Sequence, residues 1–154
     1  MAGDGGDIYQ LRQLKKMRNN PDWRYEGKSR TEIENEVKAR SSVLLSKRHT
    51  ISEKSGRKIR FNITEKDIEH LVSDATGRAK GTLYISDIPN LHRSFKSAIF
   101  VRSNKEAKKG EKRVFFHYYE ITISGRKMYL NIKEDKNRNR VTLHSITGKL
   151  KEEL

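Results

Sequence analysis

The residues best suited to proton transfer lie in the last third of the sequence. His144 stands in an alternating apolar–polar segment, and the unperturbed pKa of a histidine suits proton transfer near neutrality. Glu120 could serve as the partner base, because paired groups with separated pKa values divide acid and base work. The alternative for both is a structural role, with His144 a surface histidine and Glu120 in a salt bridge to Lys127 or Lys133.

Aromatic and polar residues suited to nucleic-acid binding surround these two. Tyr118 and Tyr129 could stack on bases or donate a hydrogen bond, which is how proteins bind unpaired RNA. The alternative is an ordinary solvated sheet face, since tyrosine is a common strand residue. The residues predicted to contact RNA are Tyr129, Asn131, Thr142, His92, Arg93, Arg126 and Lys127.

The charge of the chain points to a polyanionic partner. Its 154 residues include 34 Lys and Arg against 20 Asp and Glu, which gives a net charge of +14. The surplus is concentrated in residues 1–60 and 101–154, whereas residues 61–100 balance. Such a surplus attracts nucleic acid, because binding releases counterions from the phosphate backbone. We expect RNA to be the nucleic acid bound.

Several classes of protein are excluded or disfavoured. The absence of cysteine excludes disulfides, thiolate catalysis and zinc sites built on thiolates. No histidine spacing suits a metal site, and no nucleophile elbow or glycine-rich phosphate loop occurs, so neither a metal nor a cofactor is expected. No apolar run approaches the roughly 18 residues that cross a bilayer, and Met1–Gly6 lacks a secretory signal. The sequence therefore predicts a cytoplasmic protein with no membrane partner.

The candidate residues are positioned by a predicted antiparallel sheet. From Arg113 onward the apolar period becomes two, and Ser124-Gly125 is a turn signal between Val114–Ile123 and Arg126–Ile132. A third strand is predicted at Val141–Thr147. Centring the turn on Ser124-Gly125 fixes the register, in which Ile123 faces Arg126, Ile121 faces Met128, Tyr119 faces Leu130 and His117 faces Ile132.

This register decides on which of the two sheet faces each strand residue lies. A slip of one residue would exchange the two faces. The inward face is expected to meet the helices, and His117 on it is expected to be a satisfied, half-buried histidine. Its other members are Phe115, Tyr119, Ile121, Met128, Leu130 and Ile132. The outward face carries Phe116, Tyr118, Glu120, Tyr129, Asn131 and Lys133, joined by Thr142 and His144 if Val141 and Leu143 point to the core.

The first half of the chain predicts helices. Ile8–Met17 has near-helical apolar spacing, and Ser29 with Glu32 forms a capping box that starts a second helix. A third helix should open at Thr64, and a fourth should run from about Asp87 to Ala98. The fold class is therefore α+β, with N-terminal helices packed on a small C-terminal antiparallel sheet of three to four strands. We expect a basic helical extension over residues 1–50 and an α+β domain over residues 51–154.

The order of these segments is similar to a known nuclease superfamily. An alternating strand leads through Thr64-Glu-Lys-Asp-Ile-Glu-His70 to Ile85-Ser-Asp-Ile-Pro-Asn-Leu91. Phe116-His-Tyr-Tyr119, the hairpin Ile123–Leu130 and the closing Val141–Ile146 follow. Over roughly residues 55–148, this pattern resembles the barnase–EndoU–colicin–RelE (BECR) nucleases, and above all their phage and large-polyvalent-protein-associated branches. The resemblance is one of elements and spacings rather than of invariant residues.

The resemblance implies metal-independent RNA cleavage by a toxin or effector, in which the ribose 2′-hydroxyl attacks the adjacent phosphate. It adds His70 to the candidates. For that chemistry Lys133 could stabilise the charged phosphorane, and the alternative is that it only complements nearby charge. Such a nuclease would need an acidic immunity or antitoxin partner. The alternatives are a non-catalytic RNA- or DNA-binding module and a phage or mobile-element interaction protein. The predicted catalytic set is His144, Glu120, Lys133, His70 and Tyr118.

Overall fold

The structure is a computed structural model that describes residues 20–77, 83–105 and 113–150. The predicted helix at Ile8–Met17 lies outside these residues. The helices are α1 (Arg30–Arg40), α2 (Ser42–Ser46), α3 (Glu65–Thr76) and α4 (Leu91–Phe95), with 3₁₀ helices at Trp23–Tyr25 and Ile85–Asn90. The strands are β1 (His49–Ser52), β2 (Lys58–Phe61), β3 (Ile99–Lys105), β4 (Val114–Ile123), β5 (Arg126–Asp135) and β6 (Arg140–Thr147).

The two longer helices begin where their capping boxes predict. The Ser29 hydroxyl accepts from the Glu32 amide, and the Glu32 carboxylate accepts from the Ser29 amide. Thr64 and Asp67 form the same reciprocal pair at the start of α3. Each box satisfies two amides that a helix start would leave unpaired, which fixes both helix starts.

The main sheet has four antiparallel strands in the order β3–β4–β5–β6. The predicted hairpin register is confirmed at every pair, from Ile123 opposite Arg126 to His117 opposite Ile132. Ser124 and Gly125 both have positive φ, at 49° and 78°, as a two-residue turn between twisted strands requires. The strands β1 and β2 form a separate hairpin, and Asn62 after β2 makes an isolated parallel bridge to Thr142 on β6.

The core lies between the inward face of the sheet and the helices. Tyr119, Met128, Leu130 and Ile132 are fully buried there, as predicted, and Leu143 is also buried. The helices contribute Val37, Ile68, Leu71, Val72, Leu91 and Phe95 to the same core. The α+β class, with mostly N-terminal helices against a small antiparallel sheet, is therefore confirmed.

Two strands and one helix differ from the sequence prediction. β1 and β3 were not predicted, since β1 is only four residues long and β3 continues directly from the apolar spacing of the preceding helix. The predicted helix from Asp87 to Ala98 is instead a 3₁₀ helix that contains Pro89, followed by the short α4, which ends at Phe95. Pro89 has no backbone amide hydrogen to donate, which explains why a single regular helix does not form.

The expected division at residue 50 falls inside β1. Ile33 and Val37 on α1 and Leu44 on α2 belong to the same core as the sheet. In addition, the Asp22 carboxylate accepts hydrogen bonds from the amides of Ile85 and Ser86, at 2.7 and 2.9 Å. The described part of the first 50 residues is thus built into the α+β domain.

Candidate nucleic-acid interface

The outward face of the sheet brings most of the predicted site residues together. The strand register sets them in three rows across β4, β5 and β6. One row joins Tyr118, Asn131 and Ser145. The row on one side joins Glu120, Tyr129 and Thr147, and the row on the other side joins Phe116, Lys133 and Thr142.

His144 lies on this face, at a β-bulge in β6. Asn131 pairs with Ser145, whereas the next residue of β5, Ile132, pairs with Leu143, so His144 is the extra residue. A bulge places two successive side chains on about the same side of a strand, while Leu143 and Ile146 stay buried in the core. His144 is exposed, and its ring lies 4.9 Å from that of Phe116, measured between centroids.

These residues line a groove of about 450 Å³ on the sheet. Its floor is aromatic and polar, formed by Phe116, Tyr118, Tyr129, Asn131 and His144. We call it the sheet groove. The remaining lining residues come from α3, from the segment before the second 3₁₀ helix, and from β6 and the segment that follows it: Asp74, Leu83, Ser145, Ile146, Thr147 and Leu150.

Asn131 is the most unusual residue of the groove. It is 8 % exposed, and its side-chain oxygen is buried without a hydrogen-bond partner in the described residues. A buried carbonyl without a donor costs roughly 1–3 kcal/mol, and buried polar groups are therefore normally paired. Rotation of the terminal amide about χ2 lets Asn131 offer either an acceptor or a donor to a molecule in the groove.

A cation flanks the aromatic floor. The guanidinium carbon of Arg102 lies 5.2 Å from the ring centroid of Tyr118, and strand register sets the two residues opposite each other on β3 and β4. An arginine stacked on a tyrosine holds positive charge beside a surface on which a base can stack. Sequence reasoning missed Arg102 because β3 was not predicted, and it missed Asp74 and Leu83 because neither lies on the sheet.

Glu120 does not share the groove with His144. Its carboxylate lies 3.7 Å from the Lys127 ammonium, which is the salt bridge that the structural alternative anticipated. Strand spacing and rise per residue separate the Glu120 and His144 backbones by roughly 14 Å, with β5 between them. Among the described residues, the carboxylate that lines the groove with His144 is that of Asp74.

Lys133 and Thr142 lie on the outward face next to the groove without lining it. Both are half-buried, and they face each other across β5 and β6. His70 is exposed on α3, one helical turn before Asp74, and does not line the groove. Lys133 therefore adds positive charge beside the predicted site, whereas His70 lies outside it.

Arg126 makes contacts within the protein that stabilise the fold. It forms an ion pair with Asp87, which is only 8 % exposed, and its guanidinium lies 4.4 Å from the Tyr84 ring centroid. The Ser124 hydroxyl donates to the other Asp87 oxygen at 2.9 Å. Arg126 thus fixes the β4–β5 turn against the second 3₁₀ helix, whereas its turn neighbour Lys127 is exposed and pairs with Glu120.

His92 and Arg93 lie on α4, on the opposite side of the sheet from the groove. Burial, and then the nearby Arg93, lower the pKa of His92. Arg93 is exposed. The sequence prediction that these residues contact RNA therefore concerns a second surface, separate from the sheet groove.

His117 is satisfied within the structure, as expected, but it is buried rather than half-buried. It is 3 % exposed; its Nε2 lies 2.8 Å from the Glu134 carboxylate, and its Nδ1 lies 2.6 Å from the Ser103 hydroxyl. Because a carboxylate only accepts, Nε2 carries the proton, and Ser103 donates to Nδ1 when the ring is neutral. The arrangement joins β3, β4 and β5, with Ser103 opposite His117 and Glu134 one diagonal step away on β5.

Comparison of the chain with protein-family models, with curated proteins and with solved structures finds no significant match. The BECR resemblance therefore remains a prediction from the order of segments. Within the described residues, no helix is both long and apolar enough to cross a bilayer. Among the same residues, no group of three or more His, Asp or Glu side chains is arranged to hold a metal ion.

Proposed function

We propose that the protein binds a single-stranded stretch of RNA in the sheet groove and cleaves it there by attack of the ribose 2′-hydroxyl. The observation that supports this best is the convergence on one groove of three aromatic rings, an exposed histidine, and a buried amide oxygen that has no hydrogen-bond partner among the described residues. These are the groups that stack on a base, recognise its edge and transfer a proton. The net charge of +14 supplies attraction for the phosphate backbone.

Binding begins with the rings of Phe116, Tyr118 and Tyr129. Bases of any sequence can stack on such rings, because every base has a π face, and each stacked base contributes about 1–3 kcal/mol. Asn131 then supplies a hydrogen-bonding edge at the groove floor. Duplex RNA hides its bases in a narrow major groove, so an open aromatic sheet suits an unpaired strand.

Cleavage follows from proton transfer at two oxygens. A base removes the 2′-hydroxyl proton, the oxygen attacks phosphorus, and the 5′-oxygen leaves with a proton supplied by an acid. The products are a 2′,3′-cyclic phosphate and a free 5′-hydroxyl. DNA lacks the attacking hydroxyl, so the chemistry is confined to RNA.

His144 carries one of these proton transfers, because it is the exposed histidine of the groove. Asp74 is the carboxylate that lines the same groove in the described part of the chain and takes the other transfer, in place of Glu120, which does not line the groove. Lys133 stands in the next row of the sheet, where its ammonium can stabilise charge on the phosphorane. Tyr118 stacks the base or donates a hydrogen bond.

An RNA-cleaving domain of this kind would act in the cytoplasm of the producing or the target cell. Its producer would need an acidic immunity or antitoxin protein to cover the basic surface. Charge complementarity makes such a partner fast to associate.

The test is to incubate the purified protein with total tRNA and ribosomal RNA in EDTA, with His144→Ala in parallel. Discrete fragments with 2′,3′-cyclic phosphate ends, absent with His144→Ala and reduced with Asp74→Asn, would support cleavage by these residues. His70→Ala should keep most of the activity, because His70 does not line the groove. Fragments that persist with His144→Ala would refute the assignment of His144.

A non-catalytic RNA-binding module is the second candidate. The pairing of Glu120 with Lys127 favours it, because the acid–base pair expected from the sequence is not assembled around His144. This protein would shift tRNA on a native gel and leave it intact under all conditions. The His144→Ala variant would then bind RNA as the wild type does.

A further inference from the structure

A second cluster of cations forms where two distant segments of the chain meet. Lys47 and Arg48 lie between α2 and β1, and Arg93 and Lys96 lie on α4 and at its C-terminal end. α4 contacts both α2 and β1, which brings the two segments together. We call Lys47, Arg48, Arg93 and Lys96 the cationic patch.

Buried aromatic packing holds the two segments in place. His49, which follows Arg48 directly, packs edge-on against Phe95 of α4, with ring centroids 5.2 Å apart. It also contacts Phe61 at 5.7 Å, and its Nε2 lies 2.8 Å from the Leu44 carbonyl oxygen. His49 is 6 % exposed and Phe95 is 3 % exposed, so the backbone beneath the patch is fixed.

Within the part of the chain that the structure describes, no acidic side chain neutralises the positive charges of the patch. All four side chains belong to exposed residues, and none forms an ion pair in the described part of the chain. His92 lies among them, and burial, Arg93 and Lys47 all act to lower its pKa. Its Nδ1 is buried without a hydrogen-bond partner in the described residues. An anion near these groups would relieve repulsion among the cations.

The patch and the sheet groove lie on opposite sides of the sheet. α4 packs on the inward face, where Phe95 and Leu91 join the core, while the groove occupies the outward face. A short single strand in the groove therefore cannot reach the patch. A longer, folded RNA can contact both surfaces by passing around an edge of the domain.

We propose that the cationic patch is a second RNA-binding site, which binds backbone phosphates of the folded part of the RNA whose unpaired segment enters the sheet groove. Arginine and lysine are the residues that contact phosphate, and the two arginines can do so with paired hydrogen bonds. Among the described residues, the apolar neighbours Leu91 and Phe95 of α4 are buried in the core, so they offer no apolar centre for a protein–protein interface beside the patch. The class of ligand rests on the proposed function, but the location of the site does not.

The test compares two variants of equal charge. The patch variant is Lys47→Ala, Arg48→Ala, Arg93→Ala and Lys96→Ala combined. The control variant is Arg30→Ala, Lys54→Ala, Lys58→Ala and Arg60→Ala, which removes the same residue types from exposed positions that form no ion pair in the described residues. Both variants carry four fewer positive charges than the wild type.

Affinity is measured between about 50 and 200 mM salt for two probes, a stem-loop RNA with a single-stranded tail and the tail alone. For the stem-loop, the slope of log affinity against log salt is negative and should become shallower by about 3 in the patch variant, since each phosphate contact contributes about −0.7 to −0.9. The control should change it by less than about 1. Affinity for the tail alone should be equal in the two variants.

Equal slopes in the patch and control variants would overturn the proposal, because the charge would then act only through the net surplus. A patch variant that loses affinity for an acidic protein but not for the stem-loop would also overturn it. Failure of the proposed function has a different signature. In that case Tyr118→Ala combined with Tyr129→Ala would bind the tail as well as the wild type does, whatever the patch variant shows.

Discussion

The ring of His144 on β6 contacts the ring of Phe116 on β4, with centroids 4.9 Å apart, although β5 lies between the two strands. His144 follows the buried Leu143 and so faces outward, and the bulge makes it an extra residue beside Ser145 on the same face. A histidine suited to proton transfer is thereby set against the aromatic floor of the sheet groove. The relationship links the residues that would bind a base to the residue that would act on its ribose.

Substitution of the two sheet histidines should have different effects, with His144→Ala affecting RNA cleavage and His117→Ala affecting stability. We expect His144→Ala to abolish RNA cleavage and to change the free energy of unfolding by less than about 0.5 kcal/mol, because the side chain is exposed. His117→Ala should lower that free energy by about 2–4 kcal/mol, because it leaves a cavity and unpairs Ser103 and Glu134. Urea unfolding and the cleavage assay, run on both variants, measure the contrast. Equal destabilisation by both would contradict it.

Tyr118 and Tyr129 should each contribute stacking energy to RNA binding. We expect either tyrosine→alanine variant to weaken binding of a short single-stranded RNA by about 1–3 kcal/mol, and tyrosine→phenylalanine to keep most of the affinity. Fluorescence anisotropy with a labelled oligonucleotide measures both. Trp23→Ala is the aromatic control, because Trp23 does not line the groove. If all three alanine variants bind equally, the groove is not the binding site.

Asn131 should affect stability and binding in opposite directions. Asn131→Leu replaces a buried carbonyl, which has no partner in the described part of the chain, with an apolar group of similar size, so the melting temperature should stay the same or rise. The same change removes the hydrogen-bonding edge from the groove floor, so affinity for single-stranded RNA should fall by about tenfold or more. A melting curve and a titration on the same sample test both statements. A strong fall in the melting temperature would indicate that Asn131 is paired within the protein.

The outward face could be predicted because its information is local. Alternation along Val114–Ile123 and the Ser124-Gly125 turn determine the register, and the register determines which side chains share a face. The same argument correctly placed Phe116, Tyr118, Tyr129 and Asn131 together. The position of His144 on this face was also expected, but the bulge at this residue left no recognisable signal in the sequence.

The contacts that the sequence did not indicate are those between distant segments. Asp74 and Leu83 reach the groove only because α3 and the following segment pack beside β6. Arg102 contacts the ring of Tyr118 from β3. This strand was not predicted, because its apolar residues continue the spacing of the preceding helix. In the same way, the pairing of Arg126 with Asp87 depends on the 3₁₀ helix lying against the β4–β5 turn, which no spacing along the chain reveals.

Arg126 should therefore matter for folding more than for RNA binding. We expect Arg126→Ala to lower the free energy of unfolding by about 2–3 kcal/mol, because it leaves the buried Asp87 carboxylate without its cation. The double variant Arg126→Ala with Asp87→Asn should recover part of this loss, since the unpaired charge is gone. The RNA affinity of the double variant, measured well below its melting temperature, should change no more than the affinity of Lys127→Ala does. A large and selective loss of affinity would return Arg126 to the RNA-binding set.

His92 should make the fold sensitive to mild acid. Burial, followed by repulsion from Arg93 and from nearby His49, Lys47 and Lys96, lowers the pKa of His92 in the folded state. The unfolded chain therefore binds a proton more readily, so stability is fully present above the unfolded pKa of about 6.5 and is lost as pH falls through the folded pKa. Urea unfolding across this range should show the loss, and His92→Gln should reduce it.

Phosphate bound at the cationic patch should raise the pKa of His92, which an NMR titration of its ring protons with and without the stem-loop RNA would detect. An unchanged titration, together with a pH profile that His92→Gln does not alter, would contradict the coupling of His92 to these cations.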